Sequence, residues 1–215
     1  MKIIIGITGK LGSGKDYITN NVVIPVLEKY SHIGRFMQCA FADQIKVNVM
    51  TKNNITYNDV YENKTSISRQ LLQEEGTDIG RKKDKDIWIR YLNNWMKVYY
   101  HRGISVFIIS DVRFKNEYDF VKSSKDKDAV GIMLKVVANK RNNDRLIAES
   151  GGDIALYEKI SKHPSECELD ALNDEQFDLI IKNDVDDNFN LDTVKVQFSK
   201  ILYEAQINAS STILI

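Results

Sequence analysis

Eight residues near the N-terminus, Gly9-Lys10-Leu11-Gly12-Ser13-Gly14-Lys15-Asp16, have the spacing of a loop that grips phosphate. Glycines let the backbone curl until successive N–H groups point inward, and a helix opening at the end of the loop adds positive partial charge. Lys10, Gly12, Ser13, Gly14, Lys15, Asp16 and Tyr17 are the expected contacts to a nucleoside triphosphate, with the Lys15 ammonium reaching its β and γ phosphates. Asp16 stands where a Ser or Thr usually holds magnesium, and a carboxylate can serve there as a harder anionic ligand. A glycine-rich turn with Asp16 as a helix cap is the bland alternative. The apolar run before the loop argues against it, because a P-loop must leave a strand and enter a helix.

A second carboxylate, Asp111, follows the apolar residues 106–109 and opens the charged stretch Asp111-Val112-Arg113-Phe114-Lys115-Asn116-Glu117. At a strand's carboxyl end it could face a metal ion or a second substrate, or simply cap the strand.

The elements that must position these groups can be read from periodicity. Residues 2–7, 36–41, 106–109, 131–137 and 177–181 read as buried strands separated by helical segments, which predicts an α/β fold with a five-stranded parallel sheet flanked by helices. Residues 15–29 have helical spacing, and 84–101 set Trp88, Leu92, Trp95 and Tyr99 about a turn apart, with Gly103 ending the helix. Residues 51–64, 76–86 and 140–169 read as excursions at the carboxyl ends of strands, where ligands meet such sheets. The expected organisation is one domain over residues 1–215, with an acceptor-binding excursion at 51–86 and a lid at 140–169.

Composition narrows the partners. The 30 basic and 30 acidic residues cancel, which leaves no basic footprint for a nucleic-acid polymer and points to a small anion. No apolar run is long enough for a membrane span or a signal-peptide core. Cys39 and Cys167 lack metal or redox spacing, so a reducing cytoplasm is the simplest setting.

Taken in order, Ser13-Gly14-Lys15-Asp16, Phe41-Ala42-Asp43-Gln44-Ile45-Lys46, Arg69-Gln70-Leu71-Leu72-Gln73, Gly76-Thr77-Asp78-Ile79-Gly80-Arg81, Trp88, Ser110-Asp111-Val112-Arg113-Phe114, Asn116-Glu117 and His163-Pro164-Ser165-Glu166 resemble the deoxynucleoside monophosphate kinases of bacteriophages and other viruses. The resemblance implies an adenylate-kinase-like P-loop fold, ATP with Mg2+, and transfer of the γ-phosphoryl group to a deoxynucleoside monophosphate. It also suggests a homodimer. Transfer to an acceptor that is already anionic needs no strong general base, so catalysis reduces to positioning and charge neutralisation by groups converging from several segments. Lys15, Arg113, Arg141 and Arg145 are the expected catalytic cations, the last two sharing a face of a helical lid. Asp43, Lys46, Arg69, Thr77, Asp78, Arg81, Trp88, Asp111, Arg113, Asn116 and Glu117 are the expected acceptor contacts, and Asp16 and Asp111 the metal ligands. Trp88 could stack on a base or belong to the core of its helix. The loop and Ser165-Glu166-Cys167 also look like animal-type phosphomevalonate kinase, and a non-catalytic ATP switch is the third reading.

Overall fold

A computed structural model describes residues 2–123, 129–184 and 189–211. Most of the C-terminal tail, read from sequence as a frayed end or a docking strand, lies outside the described residues.

The five-stranded parallel sheet is present in the order β2-β3-β1-β4-β5, from β1 (Lys2–Thr8), β2 (Arg35–Cys39), β3 (Ile104–Val112), β4 (Ala129–Val137) and β5 (Leu179–Lys182). β1 pairs in parallel with β3 on one side and β4 on the other, and β4 pairs in parallel with β5. All seven residues of β1 are buried. Its continuous run of isoleucines reflects this: a central parallel strand is covered on both faces, so neither can be polar. Ile3, Ile5 and Ile7 pack with Ile18, Val22 and Leu27 of the following helical segment and with Phe198 and Leu202 of the C-terminal helix. Each such side chain contributes roughly 1.5–3 kcal/mol on burial.

The helix expected over 15–29 starts as α1 (Lys15–Ile18), widens into a π turn at Thr19–Val23 and resumes as α2 (Ile24–Lys29). Pro25 sits in the first turn of α2 and has no N–H to offer the carbonyl four residues back, so the regular ladder cannot run through it.

The chain forms two compact units, residues 1–38 with 103–215, and residues 39–102. The second is helical: α3 (Ala42–Asn53), a π turn at Asn58–Glu62, α4 (Ser66–Gln73), a π segment at Glu74–Arg81 and α5 (Ile87–His101). Thr65 caps α4 by accepting from the Ser68 N–H. The residues expected as an acceptor-binding excursion are largely helical, and the helix expected from 84 starts at Ile87, after the Asp84 side chain has accepted the Asp86 N–H. The core of this unit closes on Trp88, which is 1% exposed and donates its indole N–H to the Gly76 carbonyl at 2.8 Å. Gly80 lies so close beneath the indole that any Cβ there would strike it. The aromatic stripe divides, Trp88 and Leu92 facing inward while Trp95 is exposed.

In the first unit α6 (Lys115–Lys122) packs on the sheet. The lid segment is helical throughout: α7 (Asn139–Ser150), α8 (Ile154–Ser161) and α9 (Pro164–Cys167). Gly151, with φ of 58°, ends α7; the Asp153 side chain caps α8, and the His163 ring caps α9 by accepting from the Ser165 N–H. The chain returns through two 3-10 turns to β5 and ends in α10 (Leu191–Ser211).

Gly131 of β4 permits the closest approach of helix to sheet, because a Cβ there would run into the backbone carbonyl of Val121 in α6. Gly131→Ala is expected to cost about 1–3 kcal/mol and to lower the thermal midpoint by several degrees. A melt within a degree of the parent would show that α6 moves aside freely.

Candidate phosphate-binding site

At the end of β1 the chain turns through Gly9–Gly14 and enters α1. Gly12 and Gly14 hold φ of 76° and 87°, a left-handed conformation that side chains strain to adopt. Gly14 is the N-cap of α1, its carbonyl accepting the Ile18 N–H at 3.0 Å. Within the loop the Ser13 N–H donates to the Lys10 carbonyl at 3.1 Å.

The Lys15 ammonium folds back beneath this curve, donating to the carbonyls of Gly9 at 2.6 Å and Lys10 at 3.2 Å. Burial of that cation lowers its pKa from 10.5 to about 8. The guanidinium of Arg113 pushes it the same way, against the carboxylates of Glu166, Asp16 and Asp111. Arg113, Asp16 and Asp111, expected from sequence to share a site with Lys15, thus each lie within electrostatic reach of its ammonium.

Other elements brace the loop. Asn183, buried just past β5, donates its side-chain amide to the Ser13 carbonyl at 2.9 Å and its backbone N–H to the Val137 carbonyl at 2.8 Å. Its amide nitrogen leaves no room for a Cβ at Gly14. Asn142 of α7 donates to the Leu11 carbonyl at 2.6 Å, and the Glu166 carboxylate accepts the Leu11 N–H at 2.7 Å. Helix α7 lies directly on the loop: a Cβ at Gly12 would come 2.9 Å from the Cβ of Arg145 and 3.0 Å from the Arg141 carbonyl. The start of α7 is held in turn by Asp184, which accepts the backbone N–H groups of Lys140 and Arg141; those bonds hold its carboxyl below the usual range.

The remaining expected residues separate by environment. Arg141 donates through Nη2 to the Asn183 carbonyl, whereas Arg145, half exposed, pairs with Glu149 at 2.6 Å along its own helix. Lys10 reaches outward to Asp170 at 2.7 Å, and Tyr17 is 45% exposed in the first turn of α1. Asn116 and Glu117, expected beside the acceptor, serve the turn after β3. Glu117 is 1% exposed and its carboxylate accepts the N–H groups of Arg113 at 2.8 Å and Phe114 at 3.1 Å, while Asn116 accepts the Glu117 N–H at 3.1 Å. A carboxylate buried and engaged in this way caps α6.

In the helical unit, Asp43, Lys46 and Tyr61 form one cluster. Asp43 accepts the Tyr61 hydroxyl at 3.1 Å, and the Lys46 ammonium lies 3.6 Å from that carboxylate and 3.9 Å from the centre of the Tyr61 ring. Tyr61 carried no sequence signal. Arg69, Thr77, Asp78 and Arg81 ride on the continuous helical run from Ser66 to Arg81, where Arg81 donates to the Lys85 carbonyl at 3.3 Å. Trp88 is closed over in the core, which corrects the base-stacking expectation.

The loop suits an oxygen-rich anion. The Ser13 hydroxyl and the Arg141 Nε are buried and have no hydrogen-bond partner in the described structure, so each is a polar group with unmet demand. Asp16 and Asp111 could hold a divalent cation together with phosphate oxygens and water, the small protein share that magnesium usually takes. Among the described residues no three His, Cys, Asp or Glu side chains form a cluster that would hold a metal without such a partner.

The sequence profile of the deoxynucleotide monophosphate kinase family matches residues 17–162, about two thirds of the chain, starting just after the loop. Curated proteins yield no match. Among solved structures, shikimate kinase from Acinetobacter baumannii in complex with shikimate superposes with a TM-score of 0.44 at 12% identity, covering 97% of this chain and 94% of that one. A gluconokinase from Sinorhizobium meliloti gives 0.37 at 14% identity over 93% and 94% of the two chains. Likeness at this level carries no functional weight.

The Lys15 pKa makes ligand binding pH-dependent. Its lowered value means that the free protein loses the ammonium as pH rises through about 8, whereas a bound phosphate favours the charged form and keeps the proton. Nucleotide affinity should therefore fall above about pH 8, and binding at about pH 8.5 should take up a fraction of a proton, read by calorimetry in buffers of different ionisation enthalpy. Lys15→Met should abolish the uptake; uptake unchanged in that variant would assign the proton to another group.

Proposed function

Because the chain belongs to the deoxynucleotide monophosphate kinase family, we propose that it transfers the γ-phosphoryl group of ATP to a deoxynucleoside monophosphate, giving ADP and a deoxynucleoside diphosphate. The observation that carries the reading is the convergence of Lys15 and Arg113 at a glycine loop whose own carbonyls are the ammonium's hydrogen-bond acceptors. A phosphate chain would bring the Lys15 ammonium an anionic partner, where its own hydrogen-bond acceptors are neutral carbonyls.

The roles follow from placement. Loop amides and Lys15 hold the donor phosphates, and the helix N-terminus at Gly14 adds its dipole. Arg113 neutralises charge on the transferred group, with Arg141 and Arg145 reaching in from α7 once they give up Asn183 and Glu149. Asp16 and Asp111 would hold a magnesium ion, which would supply charge neutralisation to the phosphates when bound. Asp43, Lys46, Arg69, Thr77, Asp78 and Arg81 recognise the acceptor, Tyr61 joins them, and Trp88, Asn116 and Glu117 serve the scaffold. Because the acceptor phosphate is itself the nucleophile, none of these residues needs to take a proton. Cys39 and Cys167 are not joined in a disulfide, which suits a reducing cytoplasm. None of the described helices is long and apolar enough to cross a membrane.

The direct test couples ADP release to a panel of dAMP, dCMP, dGMP, dTMP, the ribonucleotides and phosphomevalonate, with ATP and magnesium. Turnover with at least one deoxynucleotide is expected. Turnover with phosphomevalonate alone would replace the nucleotide reading, and ATP binding with no phosphorylated product would favour a switch. Lys15→Ala should lower kcat by about 10²–10³-fold with the fold retained, whereas Arg81→Ala should mainly raise KM for the acceptor.

A further inference from the structure

Glu166 belongs to none of the groups assigned so far, yet it is the most constrained carboxylate beside the loop. It sits in α9, a turn too short to hold its own direction, and neighbouring contacts fix that turn in place. The His163 ring caps it, the Lys115 N–H donates to Glu168 at 2.8 Å, and Lys10 pairs with Asp170 at 2.7 Å. In this frame the Glu166 carboxylate, with its side chain 9% exposed, divides its oxygens. Oε2 accepts the Leu11 N–H at 2.7 Å and Oε1 accepts Nη1 of Arg113 at 2.5 Å. One side chain thus joins a backbone amide of the phosphate loop to the arginine that follows β3.

Two physical accounts of this contact differ in consequence. A carboxylate facing an amide and a guanidinium resembles a phosphate oxygen, and it could be a competitor that substrate must displace. It could instead be a bracket. The geometry favours the bracket, because only one of the five donors of the Arg113 fork is engaged by Glu166 and the Arg113 side chain is still 32% exposed. The segment is also anchored just after Glu166 by contacts that do not involve it, and the His163 cap fixes the turn's own start, which suits a fixed support better than a swinging plug.

We propose that Glu166 is a positioning residue for phosphoryl transfer, holding the Arg113 guanidinium against the mouth of the phosphate loop so that its other N–H groups meet the γ-phosphoryl group already oriented. The inference rests on the kinase reading above and extends it to a residue whose sequence gave no role. Orientation fixed before binding removes an entropic cost from the transition state, and the part-buried pair keeps its direction because releasing Arg113 would strand the nearly enclosed Glu166 charge.

The binding arm of the test needs no acceptor. Affinities for ATP and ADP are measured on the full chain for the parent, Glu166→Gln, Arg113→Gln and the double variant, with Glu168→Gln as a control on the same segment and thermal melts to confirm folding. The isosteric Glu166→Gln keeps its shape and loses only charge. It should lose about 10-fold in preference for ATP over ADP, Arg113→Gln should lose at least as much, and the double variant should lose no more than Arg113→Gln alone. Glu168→Gln should keep the parent preference. In turnover, Glu166→Gln should lower kcat by about 10–100-fold and change KM for ATP by less than about 3-fold. Tighter ATP binding by Glu166→Gln would identify a competitor and overturn the proposal, as would losses that simply add. If the parent turns over no monophosphate while the losses remain non-additive, the acceptor assignment fails and the role of Glu166 stands.

Discussion

The loop between β1 and α1 is closed by the Lys15 ammonium, which reaches back to the carbonyls of Gly9 and Lys10. Carbonyl dipoles satisfy its N–H groups but bring no full negative charge, so burial lowers the pKa and leaves the cation with strong demand for an anion. Stability given up there is recovered when phosphate binds, which is how a preorganised site stores its driving force.

Sheet topology lets so many elements serve one loop. With β1 central, the carboxyl ends of β3, β4 and β5 all open on the same side of the sheet. β3 delivers Asp111 and then Arg113, β4 leads into α7 with Arg141 and Asn142, and β5 ends beside Asn183 and Asp184. The residues that follow β4 and β5 contribute contacts that fix the loop and the first turn of α7. The short helix α9 adds Glu166 from the return of the lid segment. Polar groups that brace one another in this way are held in a single arrangement, because each would otherwise be buried without a partner.

Where the chemistry is local, sequence was a good guide. The strands were legible because buried parallel strands are written as unbroken apolar runs, and the loop because its glycines, lysine and flanking elements are contiguous. Trp88 shows the limit: helical spacing put it on a stripe with Trp95 but could not say which of the two faces inward. Glu117 likewise stood in a charged stretch after a strand, and only the turn geometry reveals that its carboxylate is consumed as a cap. The braces of the loop were illegible for a different reason. Glu166, Asn142 and Asn183 lie 155, 131 and 170 residues from their loop partners, and no local pattern encodes a contact created by topology. The π turns were similarly hidden, with only Pro25 hinting at one of them.

The central claim is that backbone amides from Gly12 to Asp16 and the Lys15 ammonium together grip phosphate. An amide-resolved NMR titration with ATP and magnesium tests it most directly. Large, saturable downfield shifts of the Gly14 and Lys15 amide protons, with the Lys15 ammonium resonance sharpening as its proton is held, are the predicted result. Saturable ATP binding that leaves those amides unmoved would contradict the account.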